Sequence, residues 1–305
     1  MVQAHTIRVG PAGWSYEDWA GIVYPLRRPR GFHEASYLAD YFDTIELNVT
    51  FYRPVTAETA RGWLARVAHN PRFLFTAKLW QQFTHEGELT AANEREFRPA
   101  MEALAQAGKL GALLAQFPWS FKNTGENRAY LEQLIERFRD FPLVVEVRHG
   151  SWNQREFYQW LGEQRVGFCN IDQPVIGRSL GPSERATAPV GYVRLHGRNY
   201  EEWFSEREED TGGERYNYLY SLEELKPWAQ RIEKVAEEAE LTFVITNNHF
   251  HGKAVTNALQ LVHLLTGKRV KVPPPLLGRY PELESLAAPE SQEPSLFPPA
   301  GPCSQ

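Results

Sequence analysis

Cysteine is scarce in this 305-residue chain. Only Cys169 and Cys303 occur, so a disulfide framework or a cysteine-rich zinc site has nothing to build on, and burial must hold the fold. Long apolar runs are missing as well, and no stretch approaches the roughly 18–20 residues that a membrane-spanning helix needs. The N-terminal MVQAHTIRVG lacks the charged-then-apolar pattern of a secretion signal, which makes the cytoplasm the expected location, with no membrane association. A net charge of -5 gives no overall attraction to nucleic acid, although a local basic cleft is compatible with it. There is no internal repeat of the solenoid kind. What is present is 42% hydrophobic and 13% aromatic content, enough for a sizeable core in one large domain or two ordinary ones.

Proline is unevenly spread. Nine of the 21 prolines fall after Lys271, and proline sustains neither a helix interior nor a central strand. The expected division is therefore a folded domain over residues 1–270 and an extended or disordered proline-rich tail over 271–305.

Within the domain, short β-branched or aromatic runs alternate with amphipathic stretches. Eight runs read as strands: IRVGPAGW, TIELNVTFY, FLFTAKL, LGALLAQFP, LVVEVRH, VGFCNID, GYVRLHG and TFVITNNHF. Parallel strands need helical crossovers, and closure removes both sheet edges, so the pattern predicts a single (β/α)8 TIM barrel, with an open doubly wound sheet as the rival. One crossover fits poorly: QPVIGRSLGPSERATAPV, between Asp172 and Gly191, carries glycine and proline where a sixth helix belongs.

Residue parity then sorts each strand into an inner and an outer face. It places Glu46, Asn48, Lys78, Gln116, Glu146, Arg148, Arg194 and His196 inside, together with Phe168, Asn170 and Asp172 on strand six and Thr246 and Asn248 on strand eight; Cys169 is expected to face the helices. Six interior charges, Glu46, Lys78, Glu146, Arg148, Asp172 and Arg194, are a poor device for stability, because taking an ion out of water costs several kcal/mol. A closed ion-pair lattice plugging the barrel is the plain alternative to a site. Five of the nine histidines (His85, His149, His196, His249 and His251) fall at or beyond strand ends, on the rim where barrels bind ligands.

The strings GWSYEDWAGIVYP, TIELNVTFYRP, FTAKLWQQFTH, LLAQFPWSF, VVEVRHGSW, YVRLHGRN, YNYLYS and TNNHFHGKAVTNA, in order from Gly13 to Ala258, resemble the YecE-like proteins, also called domain of unknown function 72. The resemblance implies a (β/α)8 barrel and brings no established reaction. One departure is Thr246, where the resemblance implies an aromatic residue.

Three chemistries are open at the rim. An anion site is expected where Gly252 and Lys253 begin the last helix, beside Arg194 and His196, with Lys78 and Arg148 across the mouth. Glu46 or Glu146 is a candidate for acid and base work, with Arg148 at the centre and His196 carrying a proton. A divalent metal on Glu46, Glu146, Asp172 and a histidine is possible, though no tight ligand spacing supports it and no cofactor is otherwise indicated. Trp14 and Tyr52, with Tyr16, Trp80, Trp119 and Trp152, gather near the mouth and suit stacking on a ligand; Asn48, Asp172, Asn248 and His85 complete the expected binding set. The charged insertion from Arg198 to Tyr220 is a lid or a solvated excursion. The leading expectation is an enzyme acting by acid/base chemistry on a polar, anionic small molecule such as a phosphorylated or carboxylated sugar-like compound, as a hydrolase, lyase or isomerase. The alternatives are a non-catalytic metabolite- or nucleic-acid-binding protein and a metal-dependent nuclease-like hydrolase.

Overall fold

The computed structural model describes residues 6–200 and 214–289. Eight parallel strands, β1 (Thr6–Pro11), β2 (Thr44–Leu47), β3 (Leu74–Lys78), β4 (Leu110–Gln116), β5 (Leu143–Glu146), β6 (Gly167–Asp172), β7 (Val190–Leu195) and β8 (Leu241–Thr246), pair in chain order, and β8 returns to pair with β1. Between β1 and β2 the ring is drawn shut by a bridge of Ala12 to Glu46 and by the Gly13 N–H, which donates to the Glu46 carbonyl at 2.8 Å. The architecture is the expected (β/α)8 barrel. Strands β2, β5, β6 and β7 are buried at every residue, as strands covered on both faces must be.

The helices are α1 (Glu34–Leu38), α2 (Val49–Tyr52), α3 (Ala57–Val67), α4 (Gln81–Thr84), α5 (Ala91–Gln106), α6 (Gly125–Phe138), α7 (Arg155–Glu163), α8 (Leu222–Glu238), α9 (Lys253–Thr266) and α10 (Pro274–Arg279). Hydroxyl caps start four of them. Thr56, Thr90 and Thr124 each accept a hydrogen bond from the backbone N–H three residues on, and Ser221 with Glu224 forms a reciprocal capping box.

No helix covers β6. Residues 173–189 cross irregularly to β7, as the glycines and prolines there predict. The segment is held instead by Asn170, whose Oδ1 accepts from the Arg185 N–H at 2.7 Å and the Ser183 hydroxyl at 2.8 Å, while its Nδ2 donates to the Arg185 carbonyl. Asn170 therefore points outward, and so does Phe168, whose ring meets Phe157 and Tyr158 of α7. This reverses the expected phase of strand six: Cys169 and Ile171, in register with Tyr192 and Arg194, face the interior, and the Cys169 Sγ lies 3.8 Å from a Glu146 oxygen.

Strand eight is reversed for the same kind of reason. Thr246 turns its hydroxyl toward the carbonyls of Ala254 and Gly10, and Asn248 donates to the Tyr218 carbonyl and to Asn257 of α9. The inner face belongs to Phe243, Ile245 and Asn247. The ring of Phe243 fills the lower barrel so closely that a Cβ on Gly111 would lie 2.2 Å from it, which explains a glycine as the second residue of β4.

The chain from Lys271 departs from the extended tail expected. Over residues 271–289 it forms α10 and a 3-10 turn, bridges back from Ala287 to Val270, and buries Val272, Leu276, Leu283 and Leu286. Its prolines sit at helix starts, where a missing N–H costs nothing. Residues 290–305 lie outside the described residues, as do 201–213 of the expected lid. Among the described residues no helix is long and apolar enough to cross a membrane.

Candidate functional site

The strand ends deliver five charged side chains to one point. Arg194 of β7 stands in the middle, 1% exposed, with Nη2 donating to Glu46 of β2 at 2.7 Å and Nη1 to Glu146 of β5 at 2.7 Å. The second oxygen of Glu146 accepts from Arg148, at 3.0 Å from both Nε and Nη2, and from His196 Nε2 at 3.2 Å. The second oxygen of Glu46 accepts from the Tyr192 hydroxyl at 2.9 Å, which also contacts the Thr76 hydroxyl at 2.8 Å. Burial alone would raise the Glu146 carboxyl, but Arg194, His196 and Arg148 outweigh it and hold the group well below the usual carboxylate range.

His196 is not free to trade protons. Burial outweighs the pull of Glu146 and pushes the imidazole down to about 3, so the ring is neutral near pH 7. Asn247 Nδ2 lies 3.1 Å from Nδ1, which leaves the ring proton on Nε2, directed at Glu146. Both nitrogens are engaged.

Lys78 differs from the two arginines. Its Nζ donates to Gln116 Oε1 at 3.0 Å and lies 3.9 Å from the centre of the Phe51 ring, but among the described residues no carboxylate pairs with it. Burial, then Arg194, lowers its ammonium to about 7 against the weaker opposing pull of Glu46 and Glu146. Gln116 is held in this orientation by its Nε2, which donates to the Phe117 carbonyl at 2.9 Å.

Above the cluster opens a cavity of about 1000 Å³. Its floor is Lys78, Gln116, Arg148, Arg194 and Asn247, whereas Glu46 and Glu146 lie sealed beneath and do not line it. Its walls are aromatic. Trp14 packs edge-on against Trp63 of α3 at 5.9 Å, and Tyr16 stacks on His249 at 4.3 Å. Asn48 also lines the cavity, the Tyr16 hydroxyl donates to the Ala12 carbonyl at 2.7 Å, and the exposed Tyr52 stands at the rim. Asp18, the one acid among the described residues of the lining, is occupied by the His251 N–H at 2.5 Å.

The remaining expected residues are elsewhere. Asp172 does not join the interior charges: it takes Arg198 on both oxygens, at 2.9–3.2 Å, at the end of β6. Asn248 is spent on α9 and Tyr218. Gly252 and Lys253 do not line the cavity either. The start of α9 is packed under other residues, since a Cβ on Gly252, whose φ is +77°, would lie 2.8 Å from Val23, and the Lys253 ammonium turns to Asn217. His85 sits behind Phe51 with Nδ1 at 2.9 Å from the Thr84 hydroxyl, lowered to about 4 by burial and by Lys78. Among the described residues no three His, Cys, Asp or Glu side chains are gathered as a metal site, because Glu46 and Glu146 turn on Arg194 and Asp172 on Arg198.

The family model described as protein of unknown function DUF72 matches residues 8–279. The chain belongs to this family. A DUF72 protein of Thermotoga maritima is 35% identical over 86% of this chain and 99% of its own, with a TM-score of 0.73. A DUF72 protein of Enterococcus faecalis is 27% identical over 85% of this chain and 95% of its own, with a TM-score of 0.74. No curated protein sequence matches the chain. Within this DUF72 barrel, sequence reasoning missed Tyr192 and Asn247 as interior residues and Trp63 as a wall. Tyr192 shares the parity of Arg194 and was open to discovery from the strand; Trp63 comes from α3, and no spacing reveals that this helix contributes to the cavity.

Proposed function

We propose that the protein is an enzyme that holds a small polar molecule by an anionic group, phosphate or carboxylate, against Arg148 and Arg194, and moves a proton to or from it with Lys78. The observation that carries this reading is how the cluster is divided: its three cations face the cavity and its two carboxylates do not. Two carboxylates beneath fix the arginines in place without presenting negative charge to a ligand, which is the preorganisation that anion binding and transition-state stabilisation both need. The Lys78 amine, lowered to about 7 by burial and by Arg194, has a proton affinity suited to acid/base catalysis. This gives Lys78 the proton-carrying role that the sequence suggested for His196, which is neutral, enclosed and engaged at both nitrogens. The aromatic walls supply apolar faces for the non-polar side of a ring.

The test is a panel of phosphorylated and carboxylated sugars and hydroxy acids assayed for turnover with wild type, Lys78→Met and Arg148→Gln. Loss of the proton carrier is expected to lower kcat by about 10²–10⁴-fold in the lysine variant, and loss of the anion contact to raise KM in the arginine variant. Turnover by both variants at the wild-type rate contradicts the reading.

A further inference from the structure

We propose that Lys78 is a nucleophile, whose Nζ condenses to an imine with an aldehyde or ketone that carries a phosphate or carboxylate group. The inference rests on the anion-binding reading above and narrows its substrate to carbonyl compounds.

Three observations bring it out. The first is the company Lys78 keeps: one amide oxygen and one ring face, with no carboxylate pairing with it among the described residues. Both arginines of the floor are charge-paired, so the cluster places its carboxylates against the groups that stay cationic and leaves none in contact with the amine. The second is access. Lys78 is 8% exposed and lines the cavity floor, so a ligand in the cavity meets this side chain. The third is the neighbourhood: Arg148 and Arg194 line the same floor, where they would place an anionic group beside the amine and leave the rest of the ligand against Trp14 and Trp63.

A lysine whose only task was to hold an anion would do better as arginine, which keeps its charge when buried and offers a planar fork of donors. An amine that loses its proton easily is instead what nucleophilic attack on a carbonyl requires, and desolvation next to other cations is the established way to produce one. The atoms balance without an added reagent. The Nζ lone pair forms the C–N bond to the carbonyl carbon, the carbonyl oxygen takes up a proton to give a carbinolamine, and that oxygen then leaves as water with a second proton while the C=N bond forms. Both protons come from the two N–H groups that the neutral amine gives up, and one water is released. Gln116 is a positioning residue in this scheme, because its oxygen, fixed through Phe117, holds one N–H and turns the lone pair away from itself.

Reductive trapping tests it. The full chain is incubated with glyoxylate, glycolaldehyde phosphate or neutral propionaldehyde in the presence of cyanoborohydride, and peptides are mapped by mass. The expected result is an adduct at Lys78 forming about tenfold or more faster than at any exposed lysine such as Lys226, faster with the two anionic probes than with propionaldehyde, and slowed by sulfate at Lys78 alone. Lys78→Arg should still bind sulfate and give no adduct at that position. Sulfate binding, read from tryptophan fluorescence in the same preparation, separates the two levels. Binding of sulfate without preferential trapping at Lys78 overturns the imine and leaves the proton-transfer reading standing; no response to sulfate together with no trapping overturns both.

Discussion

Two sides of the barrel mouth carry arginine–carboxylate pairs at their strand ends, and they end differently. On the β6–β7 side, Asp172 holds Arg198 on both oxygens, Arg198 reaches on to Glu224, and Glu224 accepts from the Ser221 N–H and the Tyr218 hydroxyl. Each of these three charges meets its opposite, and the network ties the chain after β7 to the start of α8. On the β2–β5 side, the carboxylates lie below and the cations above, so Arg148, Arg194 and Lys78 meet an open space. A charged residue at a strand end is therefore no evidence of a site by its type. What marks a site is a surplus of one sign facing a void.

The strongest way to break this comparison is to remove the central cation. Arg194→Met leaves Glu46 and Glu146 buried without their shared partner, and is expected to destabilise the protein by about 3–5 kcal/mol in urea denaturation. Arg198→Ala, on the other side, removes a partly exposed partner from Asp172, and should cost about 1–2 kcal/mol. It should leave anion binding in the cavity unchanged. Equal effects of the two on stability and binding would dissolve the distinction.

Titration sharpens it further. Lys78 has a folded pKa of about 7 against an ordinary 10.5, so between those values the unfolded chain binds a proton that the fold refuses. Stability therefore rises with pH across that window, by on the order of 1 kcal/mol per pH unit. Lys78→Met should abolish that part of the slope and gain stability at and below pH 7. A second window lies on the acid side. His196, His249 and His85 are lowered by burial to about 3, 4 and 4, so stability should fall as pH drops from about 6.5 toward 4, while the unfolded chain protonates. Denaturation midpoints of wild type and His196→Asn across that range check the sign.

The smallest expected effect is at the corner where an anion site was first sought. Lys253→Ala should change sulfate affinity less than twofold, a few tenths of a kcal/mol, because the lysine turns to Asn217 outside the cavity.

The barrel and five of its strand phases were legible in the sequence because apolar and polar residues alternate there for one reason, the lumen. Strands six and eight misled because their polar residues have another customer: Asn170 replaces a missing helix as the anchor of 183–185, and Thr246 and Asn248 grip α9. Polarity on a strand marks a face with unmet backbone groups opposite it, whether that face is inside or outside. The same confusion placed Thr246 on the inner face, although its side chain is on the far side of the sheet. The proline-rich segment misled in the opposite way, since composition alone does not show that prolines at helix starts permit Leu276 and Leu283 to bury.

The most direct measurement is the number of protons taken up when sulfate, which does not titrate near neutrality, binds at pH 8. Calorimetry in buffers of different ionisation enthalpy gives that number. An anion on the cationic floor should raise the Lys78 pKa from about 7 and draw close to one proton per site, with no uptake in Lys78→Met. Binding without proton uptake, or uptake that persists in the methionine variant, would contradict the account.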